Sequence, residues 1–273
     1  MAGEIKKRIN CVFVAGGAWH DIDFARLEIL KLLSEDERIR TRVFEDYDTA
    51  ATALDEADFL VTYTCNVTCS VSTQEKLQAF IAGGKRWYAL HGTNSILRFL
   101  TPKDTQYGEL LIEAPRSQPL FMETLGSQFI AHPPVAPFRV EVTQPNHPLV
   151  EGVEAFETTD ELYLLETHGV LDVILHCDYG GDAKGFVEGK WEQQQHPVFY
   201  IHEVDKGQVL YLTLGHCRGH YDMPEFTDYY PTVERCAWDL PVYYTLLRRG
   251  LDWAKIPALE RISAEAQEDE AKP

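Results

Sequence analysis

Between residues 9 and 90, short apolar runs alternate with segments of helical rhythm, and this alternation restricts the possible folds more than any other feature. Residues 9–14 form a β-branched run closed by Gly16-Gly17. Residues 24–33 then repeat Leu27, Leu30, Leu32 and Leu33 at helical spacing. Residues 41–44 and 58–64 read as second and third strands, 73–81 as a helix ending at Gly83-Gly84, and 87–90 as a fourth strand. Strands separated by helices pair through crossovers, so the pattern predicts an α/β protein with a parallel sheet covered on both faces.

From 101 to 137 the rhythm fades into a stretch carrying Pro102, Pro115, Pro119, Pro133, Pro134 and Pro137, which reads as an excursion over the sheet. Residues 138–142, 170–175, 198–201 and 209–214 read as further strands. A closing helix is expected over 241–253, with Pro241 in its first turn. The chain of 273 residues is long enough for one large domain, expected over 1–257, followed by a charged tail over 258–273 that should fray.

Forty-three acidic residues against 25 basic ones give a formal charge of -18, which disfavours phosphate backbones and anionic lipid surfaces as partners. The six cysteines include no Cys-x-x-Cys pair and a chain of this length needs no disulfide framework, so free thiols in a reducing cytoplasm are expected. No apolar run reaches membrane-spanning length and the first residues lack a signal-peptide core, which leaves the Asn66-Val67-Thr68 sequon idle.

His20, His91 and His216 each stand just past a strand, and each lies close to glycine, in Gly16-Gly17-Ala18-Trp19-His20, His91-Gly92 and Gly215-His216. The carboxyl ends of parallel strands converge on one crevice, so these distant histidines are expected to form one site. One histidine alone could equally cap a carbonyl or fill a turn. Gly16-Gly17 lacks the later glycines of a dinucleotide fingerprint, which argues against a Rossmann cofactor. Asp21 and Asp23 suit the first turn of the following helix as caps. In Asp160-Glu161-Leu162-Tyr163, Glu161 is the carboxylate expected in the crevice, against a solvated turn as the alternative, and Tyr163 is expected to pack. Cys65, after the third strand, reads as a small buried residue rather than a nucleophile.

The ordered segments Gly16-Gly17-Ala18-Trp19-His20-Asp21, Leu90-His91-Gly92, Phe129-Ile130-Ala131-His132-Pro133, His147-Pro148-Leu149-Val150-Glu151-Gly152 and Asp160-Glu161-Leu162-Tyr163 are similar to those of ThuA-like proteins of the trehalose utilisation family. Pro197-Val198-Phe199-Tyr200 and the run from Lys206 to His216 continue the resemblance, which covers roughly residues 9–253. It implies a flavodoxin-like three-layer sandwich with a mostly parallel central sheet, related to class I glutamine amidotransferases. It also implies sugar metabolism that includes ketoglycosides. Where those amidotransferases carry a nucleophilic thiol this chain has His91, so thiol-dependent glutamine hydrolysis is not expected. The chain departs from the family in Gly92-Thr93-Asn94-Ser95, at Phe199-Tyr200, over 101–118 and over 191–196; the last two stretches could reshape the pocket mouth and its ligand choice.

His20, His91, His132, Glu161 and His216 form the expected catalytic set. Imidazoles and a carboxylate are the right donors for one divalent ion such as zinc or nickel, and the same groups can perform acid–base chemistry with no cofactor. His216 and His220 are four apart, but in a loop rather than on one helix face. Trp19, Asp21, Asn94, Asp160 and Tyr221 are the expected substrate-facing residues; Tyr229-Tyr230 suit a subunit contact of a homo-oligomer. Cleavage of a 3-keto-glycoside or related carbonyl compound is the leading expectation. A non-catalytic carbohydrate-binding or regulatory protein and a dimerisation module are the alternatives.

Overall fold

The computed structural model describes residues 7–101, 103–104, 110–224 and 231–270. The chain opens as β1 (Ile9–Gly17), α1 (Ile22–Leu33), β2 (Ile39–Phe44), α2 (Tyr47–Ala51), β3 (Phe59–Cys65), α3 (Val71–Ala82) and β4 (Arg86–Leu90). β1 is buried from Cys11 to Gly16 and β3 along its whole length, as expected of strands packed on both faces. Side-chain caps start all three helices: Asp21 accepts from the Phe24 amide, Asp46 from Thr49 and Ser70 from Thr73. Each such cap stabilises its helix by about 1 kcal/mol. In α1 the buried face is Ala25, Ile29, Leu32 and Leu33, whereas Leu27 points outward and is 53% exposed.

The excursion is more ordered than its prolines suggest. It carries β5 (Arg98–Leu100) and β6 (Leu111–Glu113), which form a small hairpin, then α4 (Pro119–Leu125) and β7 (Ser127–Ala131). β8 (Ala136–Val142), β9 (Phe156–Asp160), β10 (Leu164–Thr167), β11 (Leu171–Asp182), β12 (Lys190–Val204) and β13 (Gly207–Leu212) follow. The polar insert expected at 191–196 is the first half of β12, paired with β11 in a long ribbon. β7 pairs with β10 outside the main sheet.

The main sheet has nine strands in the order β2-β1-β3-β4-β13-β12-β11-β8-β9. β2 to β13 pair in parallel, and β13 onward every pairing is antiparallel. The sheet is thus mixed rather than mostly parallel, because the second half of the chain returns through hairpins instead of helical crossovers.

The last helix, α5 (Pro241–Glu270), corrects the expected boundary at 257. It runs through Pro257, Ala258 is buried, and Leu259 and Ile262 pack against the core. Arg261 bonds Asp58 at 2.9 Å and Lys7 bonds Glu265 at 2.8 Å, so the charge taken as a sign of fraying makes ion pairs. Among the described residues no helix is long and apolar enough to cross a membrane.

Candidate functional site

The parallel strands deliver their histidines to one place. β1 ends at Gly17, where an added Cβ would lie 1.8 Å from the Cys65 carbonyl oxygen and where φ is +112°; only glycine allows β1 and β3 to end this close together. Trp19 follows at φ 64° and His91, directly after β4, at φ 42°. Bulky residues in the left-handed region cost about 1–3 kcal/mol each and persist where the surroundings impose them. Gly92 lets that turn nest against β3, since a Cβ there would be 2.5 Å from the Thr64 oxygen and 2.9 Å from Cys65 Cβ.

His20, His91, Glu161 and His216 are all buried, and one donor atom from each lies within 4.8 Å of the other three. His20 Nε2 and His91 Nε2 are 2.9 Å apart. Glu161 Oε2 lies 3.5 Å from His91 Nε2 and 3.8 Å from His20 Nε2, while its Oε1 lies 3.1 Å from His216 Nδ1. That last approach is short but off the hydrogen-bonding direction, which leaves His216 Nδ1 as a buried ring nitrogen without a hydrogen-bond partner.

The far nitrogen of each ring fixes its tautomer. His20 Nδ1 faces the Ala18 carbonyl at 3.2 Å, His91 Nδ1 the Thr213 carbonyl at 2.8 Å, and His216 Nε2 the Glu234 carboxylate at 2.9 Å. Carbonyls and carboxylates only accept, so these three nitrogens carry hydrogen and donate it outward. The inner nitrogens of the neutral rings therefore present lone pairs to one another and to Glu161. Such a cluster repels itself until protons or a cation enter it.

Electrostatics agree with this crowding. Burial pulls His20 down, but the Cys65 sulfur and Glu161 outweigh it and raise the ring to about 9. Burial likewise lowers His216, and Glu161 with Glu234 bring it up to about 9. For His91 burial wins and lowers it to about 3. Burial pushes the Glu161 carboxyl up, yet His216, His132 and His20 hold it well below the usual carboxylate range. Arg218 Nη1 bonds Glu234 at 3.0 Å, and Arg218 Nη2 lies 3.4 Å from Glu161.

Asp160, expected to face substrate, instead holds the site together. Its carboxylate accepts from the backbone amides of Glu161, Gly215, His216 and Ala237 at 2.7 to 3.2 Å. Burial pushes it up to about 6 against the pull of His216 and those amides. It ties the end of β9 to the turn after β13 and so sets Glu161 opposite His216.

Above the cluster opens a cavity of about 360 Å³, lined at its base by His20, Cys65, Ser95, His132, Glu161, Tyr163 and Arg218. His132 reaches it from β7; its Nδ1 faces the Pro133 carbonyl at 2.7 Å and its Nε2 lies 3.7 Å from Glu161 Oε1. It stands outside the tight group of four, as a flanking imidazole with its side chain 25% exposed.

Trp19 lines the cavity. Asn94 does not: it is fully buried under the turn and its amide donates to Ser127 Oγ at 2.7 Å, because the 3₁₀ turn His91–Asn94 points it into the fold. Asp21 keeps its capping role and pairs with Arg235 at 3.0 Å, so it faces a separate polar cleft. Tyr221 is 90% exposed and away from the cavity lining. Tyr229-Tyr230 lie outside the described residues.

Three participants escape sequence reasoning. Tyr163, expected only to pack, puts its hydroxyl 3.2 Å from His91 Nε2, and its place directly after Glu161-Leu162 was the available signal. Arg218 stands two residues after His216 and could have been suspected for that reason. Glu234 carries no sequence signal, since its link to His216 exists only after folding.

Two solved structures share the fold: a ThuA-like protein from Parabacteroides merdae, with 16% identity over 91% of this chain and 90% of that one and a TM-score of 0.60, and one from Bacteroides uniformis, with 15% identity over 93% and 94% and a TM-score of 0.60. No curated protein matches. The family model described as ThuA, trehalose utilisation, matches residues 11–231, which takes in every histidine and carboxylate of the cluster. The chain belongs to the ThuA family.

Proposed function

We propose that this protein is a metal-assisted lyase or hydrolase that cleaves a 3-keto-glycoside. The supporting observation is the arrangement of the three imidazoles: each donates its outer N–H to a carbonyl or carboxylate, and the inner nitrogens gather with a Glu161 oxygen within 4.8 Å of one another. This is how proteins orient metal-ligating histidines. Three nitrogens and one carboxylate oxygen suit a zinc-like ion, with His20, His91, His216 and Glu161 as ligands. Such an ion supplies Lewis-acid polarisation of a carbonyl.

The residues around the cluster account for the rest of the chemistry. His132 donates through Nδ1 to Pro133, so Nε2 keeps its lone pair at the cavity wall, where a base is required. A ketone at ring carbon three acidifies the hydrogen on carbon two. His132 removes that proton, the electron pair forms the double bond between carbons one and two, and the glycosidic C–O bond breaks. The imidazolium then returns its proton to the leaving oxygen. Water added across the double bond with the same imidazole completes a hydrolysis. Arg218 sets a permanent positive charge beside Glu161 and Glu234, and Tyr163 fixes His91.

Elemental analysis and calorimetry on chelator-stripped protein test the centre directly. One zinc or nickel ion should bind per chain, and His91→Ala should abolish that binding. Turnover of 3-keto-glycosides should follow the ion, and His132→Ala should slow it by roughly 10²–10⁴-fold while metal stays bound. Full activity in excess chelator, or a stripped protein that takes up no ion, overturns the reading.

A further inference from the structure

The walls of the cavity divide sharply by chemistry. All the hydrogen-bonding side chains named at its base come from the ends of β1, β3, β7, β9 and β13 and from the turn after β4. Among the described residues the other wall is aromatic and aliphatic: Trp19, Leu97, Phe99, Ile112, Phe186 and Met223, with Leu110 and Phe129 beside them. Trp19 and Phe99 meet edge to face with centroids 5.1 Å apart, and Phe186 stands edge-on to His132 at 5.0 Å. Two elements supply most of this wall, the β5–β6 hairpin with the residue before it and the turn at Phe186. Hydrogen bonds from the Ile112 amide to the Gly185 oxygen and from the Val187 amide to the Ile112 oxygen lock the two together.

A disaccharide seated with its reacting ring on the polar base would place the second ring, with all its hydroxyls, against this hydrocarbon. Those hydroxyls would leave water for a wall whose described side chains carry few hydrogen-bonding groups, which is unfavourable. A flat apolar group there buries its surface and meets aromatic edges. From this partition we infer that the preferred substrate is a 3-keto-glucoside with an aryl aglycone, bound with the sugar on the His/Glu base and the aryl ring between Trp19, Phe99 and Phe186. This rests on the proposed glycoside-cleaving role of the base, and it assigns the outer wall a selectivity that role does not require.

Binding separates the two ideas. On His132→Ala protein, calorimetry with the 3-keto forms of phenyl glucoside, methyl glucoside and trehalose should give phenyl the lowest Kd, by on the order of 10²-fold over 3-keto-trehalose, the scale on which apolar pockets discriminate. Phe99→Ser and, on the other element, Phe186→Ser should each shrink that ratio at least tenfold, with near-ultraviolet circular dichroism confirming the fold. Equal or tighter binding of 3-keto-trehalose, a ratio untouched by both serine variants, or no binding of any of the three overturns the inference. Failure of the cleavage reading would appear elsewhere, as tight aryl binding without turnover in the wild-type chain.

Discussion

The two halves of the main sheet reach the same site by different means. The parallel half, β2 to β13, contributes His20, His91 and His216 from strand ends that converge because parallel strands all point the same way. The antiparallel half contributes Glu161, just past β9 at the opposite edge, and that strand end is tied to the parallel half by Asp160, bonded to the Gly215, His216 and Ala237 amides. One half places its groups by topology, the other through buried polar links of which Asp160 makes the most. The difference gives the two halves unlike contributions: three imidazoles from the parallel half and a negative charge, Glu161, from the other.

Breaking the contribution of the antiparallel half should have the largest effect. Glu161→Ala leaves Arg218 and the imidazoles without their shared anion, and removal of one partner from such a buried set costs about 3–5 kcal/mol. Urea denaturation should show that loss, and metal uptake should vanish; a stable variant that still binds one ion would remove Glu161 from the centre. Truncation after Pro257 tests the edge of the fold, where Ala258, Leu259 and Ile262 pack against the core. Each apolar side chain fully buried is worth about 1.5–3 kcal/mol, so the shortened chain should lose roughly 2–3 kcal/mol, whereas a frayed tail would cost nothing.

Smaller effects should sharpen the picture further. Glu234→Gln keeps a hydrogen-bond acceptor for His216 Nε2 but removes the charge, and outer partners of this kind typically govern about 10–100-fold in metal affinity. Competition with a chromophoric chelator would detect that shift, and an unchanged affinity would mean that Glu234 does not tune His216. Asp21→Ala removes a helix cap together with the pairing to Arg235, and the cap accounts for about 1 kcal/mol by thermal melting. A drop several times larger would show that its pairing with Arg235 matters more than the cap.

How much of this was legible beforehand also follows the two halves. β1, β3 and β4 announce themselves as short buried runs, and the placement of His20, His91 and His216 after such runs, each close to glycine, carries the site with it. β12 hides its first half behind the exposed polar stretch Glu192-Gln193-Gln194-Gln195, and β9 alternates buried Thr158 and Asp160 with exposed Glu157 and Thr159, so neither displays an apolar pattern. Asp160 was misjudged for a related reason, since a buried carboxylate serving backbone amides looks, in one dimension, like a substrate contact. Tyr163 packs in the core as expected, but its bond to His91 itself has no one-dimensional sign.

The β5–β6 hairpin and the turn at Phe186 form the cavity's hydrocarbon wall and join each other through two backbone bonds, while none of the four converging donors stands on them. Under the proposed function, ligand choice and chemistry fall largely to different elements, with Trp19 beside His20 as the bridge between them. Grafting a different loop in place of residues 97–113 should then change what enters while the four donors keep their strands, which makes this scaffold a convenient starting point for redirecting one reaction onto new compounds.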